Sequence, residues 1–210
     1  PPGFRDGPVY STPVSHWSPP NRLTTTMSVD QSATFLTLLA MVATGITVAT
    51  CVALATDSGR TRLALLGDAP LRLAFAVAAT SVAGSLYFSE VAGFTPCELC
   101  WYQRIAMYPL AVILAVEVVR PGGNVARFVL PLSIGGAAVS IYHYQLQLFP
   151  DQGSSCDPGT SCVFMWVDKF GFFSIPLMAL VGFATVATLV VASGKQGGVD
   201  RTAADQEVGR

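Results

Sequence analysis

Charged side chains are what this sequence has least of. Lys and Arg number 12 and Asp and Glu 13 in 210 residues, or 12% of the chain, about half the share of an ordinary soluble domain. The formal net charge of −1 leaves no basic excess, which argues against a nucleic-acid-binding protein. No internal repeat is present, which argues against a solenoid. What remains is 51% hydrophobic, with a mean hydropathy of +0.52. That is the composition of an integral membrane protein.

A membrane-crossing helix needs about 20 apolar residues at about 1.5 Å each. Five stretches qualify: 31–56, 73–89, 101–119, 128–149 and 170–192. The first is longer than a signal peptide's apolar region and follows Asp30 rather than positive charge, so a retained helix is expected. Residues 1–30 are rich in Pro, Ser and Thr without apolar period. They read as a disordered tail, with Met27, the first methionine, a candidate start. Residues 193–210 read as a second disordered tail. The expected fold is therefore all-α: a four-helix transmembrane bundle over 71–192, plus an additional N-terminal transmembrane helix over 31–56.

Basic residues orient the spans. Arg60, Arg62, Arg72, Arg120, Arg127, Lys195, Arg201 and Arg210 all fall on one side, which is therefore read as cytoplasmic. The loops before the third and fifth spans then face outward from the cell membrane. Those loops carry Cys97 and Cys100, spaced C-x2-C, and Cys156 and Cys162, spaced C-x5-C. In an oxidising compartment such pairs exist as disulfides or exchange them. Cys51, alone in the first span, reads as a small apolar packer.

Pro96 disfavours helix at Thr95, so the third helix is expected to begin around Cys97–Cys100. A thiol there meets unsatisfied N–H groups and the positive end of the helix dipole. Arg104 lies one turn beyond Cys100 on the same face. Both features favour a thiolate at Cys100. The same residues would equally serve as a structural disulfide beside a snorkelling arginine. Trp101 and Tyr102 suit a flat ring or an interfacial belt. The loop around Cys156 and Cys162, with its Asp157-Pro158-Gly159 turn, suits contact with a partner protein or a static staple. His143 near the end of the fourth span is a functional candidate or a solvated residue. Glu98 and Glu117 read as solvated. Gly84, Gly135 and Gly136 read as close-contact positions between helices. A zinc site built from the four paired cysteines is the competing reading, although C-x5-C is wider than common zinc spacing.

The segments GSLYFSE (84–90), PCELCWYQR (96–104), MYPL (107–110), YHY (142–144) and FGFFSIP (170–176) resemble the disulfide bond formation protein B family (DsbB), nearest its short-loop BdbC branch. A relative of vitamin K epoxide reductase would carry its C-x2-C after the loop pair, whereas here it comes before. The resemblance implies a thiol:quinone oxidoreductase in the cell membrane. Such a protein reoxidises a thioredoxin-fold dithiol oxidase (DsbA-like) and passes the electrons to membrane quinone, ubiquinone or menaquinone. It implies that Cys156 forms the mixed disulfide with the partner and that Cys162 and Cys97 carry exchange between the loops. It also implies that Cys100 contacts the quinone with Arg104 in support, and that His143 lies near the quinone. Trp101 is a further candidate contact. No metal is implied.

Overall fold

In a computed structural model, residues 29–149, 162 and 165–208 are described, with side chains to residue 194. The described residues form helices in the order α1 (Val29–Ala55), α2 (Asp57–Ala64), α3 (Ala69–Leu86), α4 (Glu98–Val119), α5 (Ala126–Leu148) and α6 (Ile175–Val208). A π-helical turn, Tyr87–Val91, extends α3.

Four helices are long and apolar enough to cross a membrane: α1, α3 with its π turn, α4, and α6 over Ile175–Gly194. The fifth expected span, α5, is as long as these but carries His143, Gln145 and Gln147 toward its C-terminal end. It packs between α4 and α6. Two elements differ from expectation. The short polar α2 occupies the loop between α1 and α3, capped by the Thr56 hydroxyl accepting from the Gly59 N–H at 3.2 Å. Helical backbone also continues to Val208, where an irregular tail was expected from 193, because the final TAADQEV run favours helix. The expected tail over 1–30 lies outside the described residues up to 28.

A few polar side chains are buried in an otherwise apolar core, and the outer face is apolar as well. Gln103, Ser133, Ser140 and His143 are buried, whereas Val112, Ile134, Ile141 and Phe35 are exposed. Lipid tails solvate the outer face as well as protein would, so close packing and internal hydrogen bonds hold such helices together. The central cluster joins Ala74, Ala78, Leu110, Leu114, Phe183 and Val186 from α3, α4 and α6.

Two of the three singled-out glycines are close-contact positions. A Cβ at Gly136 would fall 2.2 Å from Cζ of Phe183, and one at Gly84 would fall 3.1 Å from a Leu36 methyl. Gly135 faces open space. Phe183 is fully buried and cannot yield cheaply. Gly136→Ala is therefore expected to destabilise the bundle by about 1–3 kcal/mol, while Gly135→Ala is neutral or slightly stabilising. Thermal unfolding in detergent checks this, and Phe183→Leu should restore the Gly136→Ala variant.

Candidate dithiol site and adjoining cavity

Pro96 does end the extended segment, and Cys97 becomes the N-cap of α4 with φ −74° and ψ 171°. Its sulfur accepts from the Cys100 N–H at 3.4 Å. The sulfur held by the helix end is therefore Cys97, where the sequence favoured Cys100. The first turn of α4 brings the two sulfurs to 3.1 Å. That is well beyond the roughly 2.05 Å of a disulfide but within hydrogen-bonding reach, and both thiols are free.

α5 presents His143 to the same place. Its Nε2 lies 3.6 Å from the Cys97 sulfur and 3.1 Å from the Cys162 carbonyl oxygen, and its Nδ1 is 3.4 Å from Gln103 Nε2. Cys97, His143 and Cys162 are all buried. Cys97, Cys162, Leu99 and Leu146 form one packed cluster. The structure thus brings one cysteine of the second loop against the first pair. Cys162 is disulfide-bonded. Cys156, expected to meet the partner, lies outside the described residues.

Cys97 is held well below the ordinary thiol range. Its hydrogen bond with the Cys100 thiol is the main cause; burial opposes it, and the His143 contact and the Cys100 N–H add to it. A lowered pKa means that the thiolate persists as pH falls below the range where an ordinary thiol reprotonates. The reduced protein should therefore keep one equivalent of thiolate absorbance near 240 nm from pH 8 down to at least about pH 6, while a free cysteine of pKa about 8.5 loses nearly all of its own.

Arg104 donates to the Ser85 carbonyl at 3.0 Å and stands over the Trp101 ring at 5.2 Å. Ser85 is in the last turn of α3, just before the π turn. Beside α4, among α1, α3 and α6, lies a cavity of about 350 Å³. Cys100, Gln103 and Arg104 line it at one end, and apolar residues of α1, α3 and α6 line the rest. Of the four residues assigned to the quinone, Cys100 and Arg104 line this cavity. Trp101 is exposed on the outer face, and His143 sits behind the dithiol with Cys97 and Cys162.

Sequence reasoning missed several neighbours. Gln103 orients His143, and its signal was a polar side chain inside a span. Trp166 stacks on Phe94 at 4.8 Å, Phe94 stacks on Phe88 at 5.5 Å, and all three rings line the cavity. The Glu117 carboxylate accepts from the Gly122 and Gly123 N–H groups at 3.1 Å each, closing the α4–α5 loop rather than merely facing solvent. Cys51 is exposed on α1 and is not the packer it was read as.

A helix-capping dithiol with its first sulfur buried, at one end of an apolar helical bundle and beside a cavity that its second sulfur lines, defines a membrane thiol-chemistry protein. Comparison with known proteins agrees. The family model "Disulfide bond formation protein DsbB" matches residues 68–193, and the chain belongs to that family. It is 43% identical over 118 residues to disulfide bond formation protein C of Bacillus subtilis, spanning 55% of this chain and 86% of that one. It is 45% identical over 107 residues to probable disulfide formation protein C 1 of Bacillus cereus, spanning 50% and 76%. It is 43% identical over 122 residues to a probable disulfide formation protein of Oceanobacillus iheyensis, spanning 57% and 84%. No solved structure matches the chain significantly.

Proposed function

We propose that the chain is a thiol:quinone oxidoreductase. It reoxidises an extracytoplasmic thioredoxin-fold dithiol oxidase and passes the electrons to membrane quinone, so supporting disulfide formation in exported proteins. One observation carries the reading: the Cys97–Cys100 pair has Cys162 packed against it and a mostly apolar cavity that Cys100 lines. Exchange requires a thiolate positioned to attack a disulfide sulfur. Cys97 has the thiolate character and the contact with the Cys162 segment. Cys100, facing the cavity, is then the sulfur nearest the acceptor.

The residues present fit a quinone. The cavity offers an Arg guanidinium, a Gln amide and a sulfur at one end, and a mostly apolar wall beyond. Its volume is at the small end of the roughly 300–1,000 Å³ typical of ligand sites. Bound there, a quinone would supply the two-electron, two-proton sink that dithiol oxidation needs. Arg104 and Gln103 would orient its ring against Cys100. The family relatives' names concern disulfide formation, and the eight basic residues on the opposite side, against Arg5, Arg22 and Lys169 on this one, support an outward-facing dithiol.

A second reading has an observation of its own. Sulfurs of Cys97 and Cys100 and a ring nitrogen of His143 lie within 4.8 Å of one another, a donor set that zinc accepts. The four-cysteine version is disfavoured by the disulfide-bonded state of Cys162. Detergent-purified protein given a reduced thioredoxin-fold partner and a quinone separates the two readings. Catalytic quinone reduction with no stoichiometric metal supports the oxidoreductase. One zinc per chain without turnover supports the structural site.

A further inference from the structure

The helix α1 lies before the stretch that matches the family, yet it forms a wall of the cavity. It packs along α6 and barely approaches α3, and the space left between α1 and α3 is part of the cavity. Leu36, Leu39, Ala40, Ala43 and Ile46 line that wall. At the outer end Leu36 reaches Gly84 and closes the gap. The position of α1 is fixed near its start and past its middle. The Thr47 and Thr185 hydroxyls share a hydrogen bond at 2.8 Å, with the Thr185 hydroxyl also 3.4 Å from the Ala43 carbonyl. Asp30 pairs with Lys169 of the loop before α6.

The shape of the cavity says what it holds. From Leu36 to Ile46 the wall runs about 15 Å along the helix, longer than a single aromatic ring. Polar lining groups gather at the Cys100, Gln103 and Arg104 end, and one turn further along α4 the buried Tyr108 hydroxyl has no partner among the described residues. Beyond these the lining is almost wholly apolar. Leu39, Val42 and Leu73 on its rim are exposed toward lipid. A ring carrying a hydrocarbon chain fits this division, with the chain leaving over the rim.

We propose that α1 is a specificity element, a wall that binds the first part of the hydrocarbon tail of the lipid-soluble acceptor and so selects long-tailed quinones over tailless ones. The inference rests on the quinone reading above. Binding is read directly, by quenching of tryptophan fluorescence in the full-length reduced protein, since Trp166 lines the cavity. Benzoquinones and naphthoquinones with no tail and with two isoprene units serve as probes. Ala40→Phe fills the wall, Leu39→Ala trims it at the rim where folding is least at risk, and Val48→Phe is an exposed control on α1 outside the cavity.

In Ala40→Phe the dissociation constant for the tailed probe should rise about tenfold, equivalent to about two methylenes losing their apolar contact. In Leu39→Ala it should rise severalfold. Tailless probes and the Val48→Phe control should change less than about twofold. Equal affinity of wild type and Leu39→Ala for the tailed probe, or equal loss for tailed and tailless probes, overturns the role of α1 while leaving the quinone reading intact. Binding of no probe by the wild type overturns both.

Discussion

Cys100→Ser should stop quinone reduction and leave a disulfide between Cys97 and Cys162. Forming a disulfide from two thiols releases two electrons and two protons, and with a serine at 100 the pair cannot close. Turnover with a reduced partner is expected to fall by at least about a thousandfold, because the group that changes oxidation state has been removed. Cys97 keeps its place as the cap of α4, accepting from the backbone N–H at 100, and its position in the buried cluster with Cys162. It can still attack the disulfide that holds Cys162, releasing that disulfide's other sulfur as a thiolate, but no thiol at 100 remains to displace Cys162 and close the Cys97–Cys100 pair. Peptide mapping without reductant should find the Cys97–Cys162 link. Cys97→Ser should abolish turnover equally but leave no such link. Normal turnover in either variant removes the relay.

Arg104→Gln should lower kcat/KM for the quinone by about a hundredfold, the usual cost of removing one preorganised donor from a water-poor site. The guanidinium is tethered to the Ser85 carbonyl and lines the cavity beside Cys100. It is placed to favour negative charge building on a bound ring, and the low dielectric around it makes that worth more than in water. Arg104→Lys keeps the charge but loses the planar fork, so it should recover only part of the rate. On the proposed relay, thiol–disulfide exchange with the partner bypasses the cavity. Single-turnover oxidation of the partner by the preoxidised variant should therefore proceed at the wild-type rate. If Arg104→Gln slows that exchange as much as quinone reduction, the arginine is a structural tether and not part of the acceptor site.

The sequence carried the bundle and half of the site. Uncharged runs of membrane length fix helices whatever their neighbours, because backbone groups in lipid must pair within the helix. Pro96 fixed where α4 begins, and C-x2-C on a first helical turn brings the sulfurs together. Those are local effects, legible within a few residues. The motifs from GSLYFSE to FGFFSIP were sufficient for the family. The sequence was misleading where a residue's role depends on what another helix brings to it. It favoured Cys100 as the activated sulfur, but α5 delivers His143 to Cys97 and the cap geometry adds the Cys100 N–H. It grouped His143 and Trp101 with Cys100 and Arg104, but rotation about their helix axes sets His143 behind the dithiol and leaves Trp101 exposed, neither of them lining the cavity.

The role of α1 was the least legible. Its sequence is apolar almost throughout, so nothing in it distinguishes a lipid-facing side chain from one that lines a cavity. Hydropathy treats both as equal, since lipid and protein interior are equally apolar. Composition and pattern by themselves determined that this chain crosses a membrane, that its dithiol starts a helix, and which family it belongs to. Only the packing of α1 against α6 and away from α3 decided that a cavity exists, which sulfur opens onto it, and which faces of otherwise uniform helices wall it. Those are consequences of contacts between residues far apart in the chain, and no local pattern encodes them.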